Sequence, residues 1–127
     1  MKSPKDFALE QIAPYYANPS TCGFDGSRCQ YLTDDGKMCV AGKNLLEPDK
    51  YKLSNKAITH LIDVDTDIIL KPESRGILTT RQWQILQYIH DEIAMETSEA
   101  DLNTRINMLG LFTLEELKEA AKNISKI

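Results

Sequence analysis

Arg28-Cys29-Gln30-Tyr31-Leu32-Thr33-Asp34-Asp35-Gly36-Lys37-Met38-Cys39-Val40-Ala41 sets an Asp-Gly pair between two short β-compatible runs, the strongest short-range signal of a β-hairpin. Register decides which side chains share a face. A two-residue Asp35-Gly36 loop pairs Leu32 with Cys39 and puts Cys29 and Cys39 on opposite faces. A three-residue loop with Gly36 at the bulge position pairs Tyr31 with Cys39 and gathers Cys29, Tyr31, Cys39 and Ala41 on one face. We expect the bulged form, because it buries both thiols with Tyr31 and leaves Gln30 and Lys37 nearer solvent. A hairpin at 28–41 with helical patterns on both sides predicts an α+β class: one small domain over 1–127, with about five helices packed around the hairpin.

Outward from the hairpin the signals are helical. Ser3 caps, Pro4 suits the first helical position and Asp6 complements the helix dipole. The spacing of Phe7, Leu9, Ile12 and Ala13 predicts a helix over 4–14, which Pro14 kinks or ends. Asn18 to Gly23 is rich in turn formers. Ser54 opens a short stripe through Ala57, Ile58, Leu61 and Ile62. Thr79 and Gln82 have capping-box spacing before Trp83, Leu86, Ile89, His90 and Ile93, which predicts a helix over 80–95. Ser98 and Asp101 repeat that spacing for a helix over 98–109 that stops at Gly110. Thr113 and Glu116 do so again for a helix over 113–125 lined by Leu114, Leu117, Ala121 and Ile124. Trp83, Leu86 and Ile93 are expected to pack against Phe7, Ile12, Leu114 and Leu117 as the core.

The chain has 127 residues, with 42% hydrophobic and 27% charged, the balance of an ordinary globular domain. Fifteen Lys and Arg against 19 Asp and Glu give a net charge of −4, with the basic residues scattered. Phosphate-backbone binding needs a basic stripe, so no nucleic-acid partner is expected. No apolar run approaches the roughly 20 residues that span a bilayer, and the start Met1 to Asp6 leads into no apolar signal segment. The expectation is a cytoplasmic protein with no membrane partner. Three cysteines form an odd set, which disfavours a disulfide framework in a reducing compartment.

Cys29-Gln30-Tyr31, then Asp35-Gly36-Lys37-Met38-Cys39-Val40-Ala41-Gly42, then Leu86-Gln87-Tyr88-Ile89-His90-Asp91 together resemble a group of small proteins frequent on phage and prophage genomes. In that group a C-x-Y hairpin ending in C-A-x-G precedes a helix carrying L-Q-x-x-H-D. The resemblance covers residues 28–91, with Val40-Ala41 standing where the group has Ala and then a variable residue. It implies a phage-type genomic context, and host cytoplasm as the compartment, but no mechanism.

The residues themselves bear on several chemistries. Cys22, Cys29, Cys39 and His60 or His90 are the elements of a Cys₃His zinc set. Their spacings, with six and then nine intervening residues, lack the tight pairs that let one turn present two thiolates, and buried thiols packing as small hydrophobes are favoured. No metal and no cofactor are therefore expected. A thiol such as Cys39 activated by His90 would be a nucleophilic centre if a carboxylate held the imidazole. Asp91 is a poor orienter by helix geometry, since adjacent residues point about 100° apart, so Glu92 or Asp63 would be needed. Asp63-Val64-Asp65-Thr66-Asp67 opens like a calcium loop, but Ile68 and Ser74 stand where Gly and Glu belong. The glycines lack a phosphate-loop context.

Glu92, Glu96, Glu99 and Asp101 cluster at the turn between two helices. Taken singly they are solvated acids near helix termini. Together they favour a basic protein surface as partner over a nucleic acid. The expected function is a small non-enzymatic binding protein for a host protein or small ligand, with a Cys/His-centred enzyme and a zinc-stabilised interaction module as alternatives. The expected site is a concave surface between the hairpin and the Trp83 helix, edged by Tyr31, Gln87, His90 and Asp91.

Overall fold

The computed structural model describes residues 3–19, 22, 38, 39, 44 and 70–125. They form four α-helices: α1 (Pro4–Ala17), α2 (Thr80–Ala94), α3 (Glu99–Leu109) and α4 (Leu114–Ser125), with a 3₁₀ turn at Pro72–Ser74. The α+β expectation is corrected. Among the described residues there is no strand, and the fold is mostly helical. An isolated parallel bridge joins Cys22 and Met38. Apart from Met38 and Cys39, the expected hairpin at 28–41 lies outside the described residues, as does the short helix around 54–62. An Asp-Gly turn is a local signal, whereas class is set by the elements that bury the most apolar surface, and among the described residues those are the helices.

Each helix begins where a side chain accepts its orphan N–H groups. Ser3 Oγ accepts from Asp6 N at 3.1 Å, and Ser98 Oγ from Asp101 N at 3.2 Å. Full capping boxes open α2, from Thr79 and Gln82, and α4, from Thr113 and Glu116. Gly110 ends α3 at φ 72°, a left-handed position that glycine occupies without steric cost. Pro14 does not end α1, which continues to Ala17. Proline forfeits one backbone hydrogen bond, but Ile12, Ala13 and Tyr15 are buried on both sides of it, so packing holds the last turn in place.

α1 packs against both α2 and α4, and α3 packs against α2. Phe7 meets Trp83 edge to face, with centroids 5.8 Å apart, and Ile12, Leu86, Ile89, Ile106 and Leu117 are fully buried around them. Leu114 is half-buried against the same cluster. Charged pairs tie the helices at the rim: Lys5 with Glu116 between α1 and α4, and Lys118 with Glu99 between α4 and α3. A buried chain, Ser74 Oγ to Asn44 Oδ1 and Asn44 Nδ2 to Gln11 Oε1, anchors Asn44 and the 3₁₀ turn onto α1.

Trp83 is buried, and among the described residues its indole Nε1 finds no acceptor. Trp83→Ala should therefore lose about 3 to 5 kcal/mol in chemical denaturation, the range for large-to-small core changes. Trp83→Phe should lose clearly less, because it removes the unsatisfied donor, itself a cost of about 1 to 3 kcal/mol, together with part of the ring. Equal losses would show that the N–H is satisfied in solution.

The Lys5–Glu116 pair sets a pH window. Glu116 lies below its ordinary 4.5, chiefly through its hydrogen bond from Lys5, and Lys5 lies above its ordinary 10.5 through the same bond. The carboxylate's contribution is present above 4.5 and lost as pH falls through the lowered value. The lysine's contribution is present below 10.5 and lost as pH rises through the raised value. The stability difference between the parent and Lys5→Gln should be small, constant near neutrality, and should vanish in acid and again in strong base. A difference that persists in acid would mean that Lys5 acts through its aliphatic stem instead.

Candidate functional site

Two features of the helical body bear on function: a polar network on the inner side of α2, and a cleft at its C-terminal end. The network contains Gln87, His90 and Asp91. A helix brings residues three and four apart onto one face, so Gln87 can reach both later residues. Its Nε2 donates to Asp91 Oδ1 at 3.2 Å and lies 3.3 Å from His90 Nδ1. His90 Nδ1 lies 3.0 Å from the same Asp91 Oδ1.

That last contact corrects the expectation that Asp91 cannot hold the imidazole. Nδ1 is the ring nitrogen nearer the backbone, and a short carboxylate on the next residue reaches it although the two Cβ vectors diverge. A carboxylate only accepts, so the shared proton sits on Nδ1, and Gln87 and His90 both donate to Asp91. The tautomer is thereby set by the second partner of the ring.

The surroundings of His90 are those of a core. Its side chain is fully buried, and Tyr15 meets the ring edge to face at 4.8 Å. Tyr15 Oη donates to the Met38 carbonyl at 2.6 Å, and the Cys22 thiol approaches the His90 carbonyl at 4.0 Å. Cys22 and Cys39 are buried too. Of the expected site residues, the structure thus brings Gln87, His90 and Asp91 together. It places His90 and Gln87 beneath the surface and leaves Asp91 about a quarter exposed. Tyr31 lies outside the described residues, as does Cys29. The zinc alternative of Cys22, Cys29, Cys39 and His90 can be followed only in part: among the described residues no three His, Cys, Asp or Glu side chains converge as a metal site requires.

One residue beyond Asp91 the cleft begins. It has a volume of about 370 Å³ and apolar walls from Tyr16, Pro19, Ile93 and Leu102. Glu92, Glu96 and Glu99 supply its charge, and no basic side chain is among the described residues that line it. Its shape comes from the way α2 ends. Thr97 N donates to Glu92 O at 3.2 Å and Glu96 N to Ile93 O at 3.1 Å, the two bonds of a Schellman cap. That cap requires a left-handed residue, and Glu96 fills the place at φ 53°. Glu92 is held by Thr97 and by Arg105, whose guanidinium also sits 4.9 Å over the Tyr88 ring. The acidic cluster was legible in the sequence; the contribution of Tyr16 from α1 was not, because it needs the α1–α2 packing.

No known protein family, curated protein or solved structure matches this chain. No helix among the described residues is long and apolar enough to cross a membrane.

The network makes a stability prediction. Asp91→Ala leaves the buried Nδ1–H of His90 without that acceptor, at a cost of about 1 to 3 kcal/mol. Asp91→Asn keeps a carbonyl oxygen in reach and should recover part of that loss. Urea denaturation of the three proteins checks this; equal stability of the parent and Asp91→Ala would mean that the network adds nothing to the fold.

Proposed function

We propose that this chain is a small non-enzymatic binding protein, of the phage-type kind its motifs resemble, and that it engages a protein partner at the cleft where α1, α2 and α3 meet. The observation that carries the reading is the lining of that cleft: apolar walls with a few carboxylates at the mouth, the combination by which binding sites gain area from apolar groups and orientation from polar ones. The Gln87–His90–Asp91 network serves this surface from beneath, fixing the turn of α2 that leads into Glu92 and Ile93. An imidazole with no exposed area beside Tyr15 is a poor general base for an outside substrate, so binding is favoured over Cys/His-centred catalysis.

Photo-crosslinking in a lysate of the source cell tests the reading. Benzoylphenylalanine in place of Ala100, exposed at the start of α3 beside the cleft, should yield one adduct of discrete mass. The same group in place of Glu119, exposed on α4, should not. Excess unlabelled parent should suppress the adduct and the Glu96→Lys variant should not. The same adducts from both positions, or equal competition by the variant, would put the binding surface elsewhere.

A further inference from the structure

We infer that the cleft receives one cationic side chain, of the arginine type, from its protein partner; this rests on the reading of the cleft as the binding surface and names what enters it. The charge balance around the lining points there. Glu92 is engaged by Arg105 and Thr97, and Glu99 by Lys118. Glu96 is exposed, and its carboxylate makes no hydrogen bond or ion pair. Two of the three carboxylates are thus answered from within the fold and Glu96 is the uncommitted acceptor, with no lysine or arginine among the described residues that line the cleft. An anionic ligand is repelled by this arrangement, and a neutral one leaves Glu96 unanswered.

An inorganic cation fits less well than an organic one. Calcium or magnesium wants several oxygens converging on one point, and among the described residues no such group of carboxylates exists. The three Glu residues instead surround an apolar floor, which suits a cation carried on a hydrocarbon stem. About 370 Å³ lies at the small end of the range for ligand sites, room for a side chain rather than a larger molecule. The protein already recognises a guanidinium by the same pairing of ring and carboxylate: Arg105 lies over Tyr88 and reaches Glu92 at 3.5 Å. Tyr16 and Glu96 both line the cleft, so a ring and a carboxylate of the same two kinds are present for a guanidinium from outside.

The test titrates the ¹⁵N-labelled full chain with N-acetyl-L-arginine methylamide and with its neutral citrulline counterpart, following amide shifts. The arginine probe should shift Tyr16, Glu96, Thr97 and Leu102 with weak, saturable binding that added salt loosens, and citrulline should bind far less. Glu96→Gln should weaken the arginine probe about threefold, the scale of an exposed ion pair, while Glu119→Gln leaves it unchanged. If citrulline moves the same amides with equal affinity, the cation preference is overturned while the cleft stands as a binding surface. If neither probe moves those amides, or Glu96→Gln binds as the parent does, the inference fails, and crosslinking beside the cleft decides the binding-surface reading independently.

Discussion

The fold depends on α1 being buried on more than one side. Phe7, Ala8, Ile12, Ala13 and Tyr15 are all inaccessible, and on a helical wheel they cover far more than the narrow stripe of a surface helix. Ala8 and Ala13 bring little bulk, which lets α2 and α4 approach α1 closely. With α1 in place, α4 has a partner for Leu117, and α2 one for Trp83 and Leu86. Without α1, the face of α2 that carries Trp83 would lose its partner Phe7, and α4 would have no main partner.

The same fact explains what could be read in advance. The boundaries of α2, α3 and α4 are legible because capping is local chemistry: a hydroxyl three residues before an acceptor side chain meets orphan N–H groups whatever the rest of the chain does. The apolar face of α2 is legible because Trp83, Leu86, Ile89 and Ile93 recur at helical spacing, although the helix packs against both α1 and α3. α1 reads as a partial stripe because two of its five buried residues, Ala8 and Ala13, are small and carry little apolar signal, and Pro14 then looks like a stop. What overrules the proline is the burial of Tyr15 beyond it, a tertiary effect with no local trace. The α+β class failed for a related reason. The Asp35-Gly36 signal concerns a few residues, while the class is decided by helices whose apolar faces only count once paired.

The candidate site divides along the same line. Gln87, His90 and Asp91 were singled out by their proximity in sequence, and the structure joins them through one carboxylate oxygen. Their burial was not legible, because it comes from Tyr15 on α1 and from the contacts of Cys22 and Met38. Sequence spacing also misjudged Asp91, since Cβ directions on a helix constrain long side chains less than the position of the ring atom to be reached. The network is better placed to hold the last turns of α2 in register than to meet a ligand.

The two helix ends that need a left-handed residue separate fold from function. At the end of α3 the chain uses Gly110, which adopts φ 72° freely. At the end of α2 it uses Glu96 at φ 53°, where an L side chain costs about 1 to 2 kcal/mol. Both positions close a helix and turn the chain toward its next element, so backbone geometry alone would favour glycine at each. The difference between them is what the side chain faces: nothing is lined by Gly110, whereas Glu96 stands at the mouth of the cleft with its carboxylate uncommitted. On the proposed reading of the cleft, the backbone cost at Glu96 is offset by what its carboxylate meets there.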